Sequence, residues 1–134
     1  MKTVLIIEDS HTDTLLFEEA IRDCSIDVNV VIVSDWLDAQ HRVLDPTLFL
    51  IMLDLNLPSI NGRDIIHLIR KKGVLVPIIV CSTSSCPSDI YACYQEGANG
   101  YTIKPFDVDD LFITICRTLR WWLEVNKLWG EVYD

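Results

Sequence analysis

The stretch Leu48-Phe49-Leu50-Ile51-Met52-Leu53-Asp54-Leu55-Asn56-Leu57-Pro58 decides the fold. An unbroken apolar run of this length reads as a strand buried on both faces, the pattern of a parallel sheet covered by helices. A carboxylate has no inexpensive place inside such a strand, so Asp54 marks its end. The carboxyl ends of the strands are where open parallel sheets collect ligands and chemistry. Other runs deliver partners to that same edge. Val4-Leu5-Ile6-Ile7 ends in Glu8-Asp9, Pro77-Ile78-Ile79-Val80-Cys81 ends in Ser82-Thr83, and Tyr101-Thr102-Ile103 ends in Lys104-Pro105.

Between the apolar runs the periodicity is helical, so strand and helix alternate along the chain. Polar residues from Ser10 to Asp13 offer caps for a first helix, and a second strand covers 28–33. The second helix is expected over 36–44, ended by Asp45-Pro46. Asn61-Gly62 signals a turn before a third helix carrying Ile65, Ile66, Leu68 and Ile69. Pro87 suits the first turn of a fourth helix that Gly97 closes. Val108, Leu111, Phe112, Ile115 and Leu119 give a fifth helix. Five strand and helix pairs predict an α/β fold: a doubly wound five-stranded parallel sheet with helices on both faces.

At 134 residues the chain is expected to form one domain, and a 50% hydrophobic content excludes disorder. The formal charge of −9, from 20 acids against 11 bases, argues against nucleic acid as a partner, because phosphate binding needs clustered Lys and Arg. The basic run Arg70-Lys71-Lys72 reads as a solvated helix end before Gly73. Cysteines at 24, 81, 86, 93 and 116 are odd in number and lack C-x-x-C spacing. They read as free thiols, mostly buried, in a reducing compartment. Met1-Lys2 leads straight into a strand without a signal peptide, and no apolar run reaches the ~20 residues of a membrane span. A cytoplasmic protein without membrane contact is the expectation.

Glu8, Asp9 and Asp54 supply the oxygen ligands that a hard cation such as magnesium takes. Their mutual repulsion would raise a carboxyl pKa, so a cation would also keep Asp54 ionised. An ionised aspartate can attack phosphorus to give an acyl phosphate. Lys104 and Ser82 then suit the phosphoryl oxygens, by point charge and hydroxyl donation. Each residue has an ordinary reading by itself: a polar loop, a solvated lysine, a capping serine. Their convergence on one sheet edge carries the argument.

Ile6-Ile7-Glu8-Asp9-Ser10, the run from Leu53 to Pro58 with Asn61-Gly62, Ser82, and Tyr101-Thr102-Ile103-Lys104-Pro105 resemble the receiver domain of bacterial response regulators, the CheY-like, flavodoxin-like group. The resemblance implies that Glu8 and Asp9 bind Mg2+ and that Asp54 is the phosphoacceptor. It further implies that Asn56 adds a backbone carbonyl to the metal, that Lys104 meets the phosphoryl group, and that Ser82 and Tyr101 form a switch pair. Glu8-Asp9-Ser10 followed by Asp13, the phrase from Leu53 to Pro58, Ser82-Thr83-Ser84 and Trp122-Leu123-Glu124 are similar to the small cyanobacterial regulators paired with phytochrome kinases. Thr83 departs from the small residue common there in receivers. Implied is a stand-alone response regulator of a two-component phosphorelay, phosphorylated by a sensor histidine kinase and signalling to an unknown downstream protein. It is not an enzyme with an external product, only a module that phosphorylates itself and slowly dephosphorylates. Alternatives are a magnesium-dependent aspartyl phosphatase, against which Asn56 stands where such enzymes carry a second acid, and a dimeric scaffold with an idle acid site.

The receiver is expected over 1–119, and 120–134 as a C-terminal extension of the fifth helix as far as Trp129. That helix would place Phe112, Ile115, Leu119, Trp122, Asn126 and Trp129 on one seam at steps of four and three, a heptad-like spacing. Trp121, Val125 and Leu128 fall on an adjoining stripe. So much apolar surface predicts a symmetric homodimer through Phe112, Ile115, Leu119, Trp121, Trp122, Val125 and Trp129, the alternative being that the segment folds back on its own domain.

Overall fold

The computed structural model describes residues 1–128. Strands β1 (Thr3–Ile7), β2 (Asn29–Val33), β3 (Leu48–Leu53), β4 (Ile78–Ser82) and β5 (Gly100–Ile103) form one parallel sheet in the order β2-β1-β3-β4-β5. Helices α1 (His11–Asp23), α2 (Trp36–Ala39), α3 (Gly62–Lys71), α4 (Pro87–Glu96) and α5 (Val108–Arg120) connect and cover it. The doubly wound expectation holds. Because strand side chains alternate, the core is two layers. Leu5, Ile7, Ile51 and Leu53 pack with Ile65, Ile66, Ile69 and Cys93 on one face, while Val4, Ile6, Leu50 and Met52 pack with Phe17, Ala20, Ile115 and Leu119 on the other. Among the described residues no helix is long and apolar enough to cross a membrane.

Local chemistry sets the helix ends. The side chains of Ser10, Asp35, Asn61 and Asp107 accept backbone N–H bonds at the starts of α1, α2, α3 and α5. Gly62 opens α3 so close to the β3–α3 loop that a Cβ there would stand 2.7 Å from the Leu55 Cα. Gly97 ends α4 at φ 115°, the left-handed region that favours glycine.

Four expectations need correction. The second helix is a single turn, Trp36–Ala39, followed by a separate 3-10 turn, Arg42–Leu44. Arg70 is no solvated helix end. Its guanidinium donates to the carbonyls of Val74, Val76 and Gly97 and to Asn99 Oδ1, all between 2.8 and 3.1 Å, bracing two loops that lead into strands. The cysteines are not all free: Cys24, at the end of α1, is disulfide-bonded to Cys116 of α5. These helices pack side by side on one face of the sheet, which brings together residues 92 apart in sequence. Cys81, Cys86 and Cys93 remain thiols, and burial pushes Cys81 up to about 12.

The C-terminal seam is the fourth. The fifth helix is extended past residue 119 as expected, but after Arg120 it widens into a π-helical turn, Trp121–Val125, and ends at Asn126 in extended conformation. The wider turn breaks the four-three phase. Ile115 and Leu119 are fully buried in this domain's own core, so they cannot face a second copy. Phe112 and Trp122 pack partly against the same core. Trp121 and Val125 stay 52% and 60% exposed, and Trp129 lies outside the described residues.

Candidate functional site

The strand order reverses at β1, since the chain moves from β1 out to β2 and returns to β3 on its other side. A crevice at the carboxyl ends of β1 and β3 is the ligand site such a reversal creates. Glu8 and Asp9 follow β1 directly, and Asp54 follows β3. The ladder runs on into both segments: Glu8 N–H donates to the Val33 carbonyl and Asp54 N–H to that of Ile7, each at 3.0 Å. Lys104 is held likewise beyond β5, its N–H donating to the Ser82 carbonyl at 2.7 Å.

Lys104 is the hub. Its ammonium is 2.8 Å from Glu8 Oε2, 2.9 Å from Asp13 Oδ2 and 3.9 Å from Asp54 Oδ1. Three carboxylates around one ammonium leave the cluster net negative, and the side chains are almost dry: 5% exposed for Lys104, 1% for Glu8 and 9% for Asp54. Burial pushes Glu8 up to about 7 and the Asp54 charge adds to that, against the pull of Lys104. Burial alone would lower Lys104, yet its hydrogen bonds to Glu8 and Asp13 hold it above its ordinary value. Glu8 Oε1 also accepts the Ser10 N–H at 3.1 Å, and Asp54 Oδ1 accepts that of Asn56 at 3.2 Å. Asp9 is exposed, on the wall of a cleft of about 450 Å³ shared with Glu8, His11, Asp38 and Arg42.

Ser82 is fully buried, and its hydroxyl accepts the Ser84 N–H at 3.2 Å. The Tyr101 hydroxyl donates to the Ser84 carbonyl at 2.8 Å. One residue of the β4–α4 loop thus bonds both members of the expected switch pair. Thr83 between them is exposed.

Asp13 as a partner of Lys104 escaped the sequence reading, in which it served as a candidate cap and as one residue of the resemblance to the cyanobacterial regulators. Its N–H donates to the Ser10 hydroxyl, which fixes it in the first turn of α1. The signal available was its place three residues after the cap, one helical turn from the strand edge.

Glu8, Asp9, Asp54 and the Asn56 carbonyl are oxygen donors, the set a hard divalent cation takes. By that chemistry the residues fit magnesium. As they stand, Glu8 is occupied by Lys104, and among the described residues no three His, Cys, Asp or Glu side chains gather closely enough to hold a metal.

Fold and site define a receiver: a parallel α/β sheet with an aspartate, two further acids and a lysine at its carboxyl edge. Residues 4–116 match the response regulator receiver domain, and the chain belongs to that family. Such domains are signalling modules. Response regulator Rcp1 of Synechocystis sp. is 33% identical over 95% of this chain and 92% of its own length. The Mn(2+)-bound form of Rcp1 superposes with a TM-score of 0.87 at 31% identity, covering 96% of this chain and 99% of that one. The phosphorylated cyanobacterial phytochrome response regulator RcpA also gives 0.87, at 29% identity, covering 95% and 97%.

Proposed function

We propose that this chain accepts a phosphoryl group on Asp54 from the phosphohistidine of a sensor histidine kinase and signals through protein contacts. The observation that carries this reading is the position of Asp54, at the reversal of the sheet with Lys104 3.9 Å away. An Asp54 carboxylate oxygen attacks phosphorus, and the bond to the donor nitrogen breaks with its electron pair returning to the imidazole. Asp54 becomes a mixed anhydride, and no proton passes to it. Lys104 pairs with one phosphoryl oxygen and Ser82 donates its hydroxyl to another. Glu8, Asp9, Asp54 and the Asn56 carbonyl would hold magnesium, which when bound supplies positive charge against the acids and the incoming phosphoryl oxygens. The RcpA relative supports a phytochrome as the kinase's sensory part.

Ser82 cannot turn towards a phosphoryl oxygen without changing its bond from Ser84, and Ser84 also holds Tyr101. That linkage is the proposed readout, carried to the surface of α4, β5 and α5. With magnesium and a small acyl phosphate donor, the parent gains one phosphoryl group by intact mass and Asp54→Asn gains none. A parent that stays unmodified, while a control receiver reacts, removes this reading.

We also propose a symmetric homodimer on the outer face of α5 and its π-helical turn, centred on Trp121 and Val125 with the outer edges of Phe112 and Trp122. Trp121→Glu is expected to weaken dimerisation at least tenfold in sedimentation and leave phosphorylation intact. A parent that sediments as a monomer at high concentration, phosphorylated or not, contradicts it.

A further inference from the structure

Asp13 reaches the site from α1, whereas Glu8 and Asp54 come from strand ends. An ammonium has three protons to donate. Two go to Glu8 at 2.8 Å and Asp13 at 2.9 Å, while Asp54 stands beyond hydrogen-bond reach at 3.9 Å. The Asp13 side chain is 22% exposed, against 1% for Glu8 and 9% for Asp54. Of the three carboxylates, Asp13 is therefore the one water can resolvate when the ammonium leaves, so parting from it costs least.

We propose that Asp13 is a positioning residue for Lys104: it holds the ammonium back from Asp54 in the resting protein and yields it to a phosphoryl oxygen on Asp54. This rests on Asp54 as the phosphoacceptor. Asp13 sets how far Lys104 stands from the reacting oxygen, and its negative charge also opposes the approach of an anionic donor. Both effects slow phosphorylation, and in the phosphorylated protein Asp13 still competes for the ammonium.

Asp13→Asn keeps the shape and removes the charge. Two measurements are made on parent, Asp13→Asn and Asp13→Glu. In crystals grown without metal, Lys104 Nζ of Asp13→Asn is expected within hydrogen-bond distance of Asp54. With magnesium and a small acyl phosphate, Asp13→Asn is expected to be phosphorylated roughly fivefold faster, and to keep the group longer by a similar factor. Asp13→Glu restores the carboxylate and returns both readouts towards the parent, which a merely structural role of Asp13 would not produce. An Asp13→Asn crystal with Lys104 unmoved, or a variant phosphorylated at the parent rate or slower, overturns the proposal. A parent that takes no phosphoryl group removes the phosphoacceptor reading and this role with it, and the crystal distance shows whether Asp13 still restrains Lys104.

Discussion

Lys104→Ala is expected to destabilise the metal-free protein by about 3 to 5 kcal/mol at pH 8 and to lower its thermal midpoint by about 10 to 15 °C. Truncation deletes the ammonium that, alone among the described residues, stands within 4 Å of Glu8, Asp13 and Asp54, and two of those carboxylates are almost fully buried. An uncompensated buried carboxylate either stays charged in a dry site or takes up a proton, and at pH 8 both cost free energy. The dependence on pH has a definite sign. Glu8 is raised from its ordinary 4.5 to about 7 even with Lys104 in place, so the folded protein binds that proton more tightly than the unfolded chain does. Its ionisation therefore subtracts stability as pH rises from about 4.5 through 7, and subtracts nothing below 4.5. Without the pull of Lys104 the Glu8 carboxyl rises further, so the loss at pH 8 exceeds that at pH 5. Thermal denaturation of parent and variant at both values checks this. A variant that melts with the parent at pH 8 would show that the ammonium is not what makes the acid cluster tolerable.

The second large effect comes from the disulfide. Cys24–Cys116 closes a loop with a sequence separation of 92 and ties the end of α1 to α5. Chain entropy alone assigns such a cross-link about 4 to 5 kcal/mol through restriction of the unfolded chain, and measured losses on removing a native disulfide run about 2 to 5 kcal/mol. Cys116→Ser, or reduction of the parent by an excess of dithiol, is accordingly expected to lower the midpoint by roughly 10 °C. Reduction should leave Cys116→Ser unaffected, because Cys24 then has no partner. The same two helices are also joined by core packing of Phe17 and Ala20 with Ile115 and Leu119 and by the Arg120 guanidinium, which donates to the Cys24 carbonyl at 2.8 Å, so loss of the bond is expected to lower stability without separating them. Equal midpoints for oxidised and reduced parent would show that the bond does not constrain the unfolded chain.

The readable part of the molecule was that in which one residue type has only one inexpensive position. A run such as Leu48–Leu53 has to be buried, and Asp54 has to stand outside it, so the sheet, its edge and most of the site residues followed. The same logic placed Glu8 after β1 and Lys104 after β5. It fails where a residue has two satisfactory positions. Asp13 near a helix start is as content capping as pairing with a lysine 91 positions away, and only the assembled sheet brings that lysine near. Arg70 looks like any helix-terminal cation until the loops it braces are in place. Cys24 and Cys116 carry no spacing signal, because their pairing depends on which face of the sheet α1 and α5 share. Ile115 and Leu119 fitted a heptad seam by spacing, yet the same positions also face the domain's own sheet.

The Cys24–Cys116 bond also makes the chain a closed covalent ring with a short arm at its N-terminal side. Asp54, Ser82 and Lys104 lie on the ring, while Glu8, Asp9 and Asp13 lie on the arm. The acid pocket is thus a clasp between the two, joined by hydrogen bonds from Lys104 on one part to Glu8 and Asp13 on the other. One peptide-bond cut within the ring leaves two pieces still joined through the disulfide and releases no fragment, whereas a cut between Asp13 and Cys24 detaches half of the clasp.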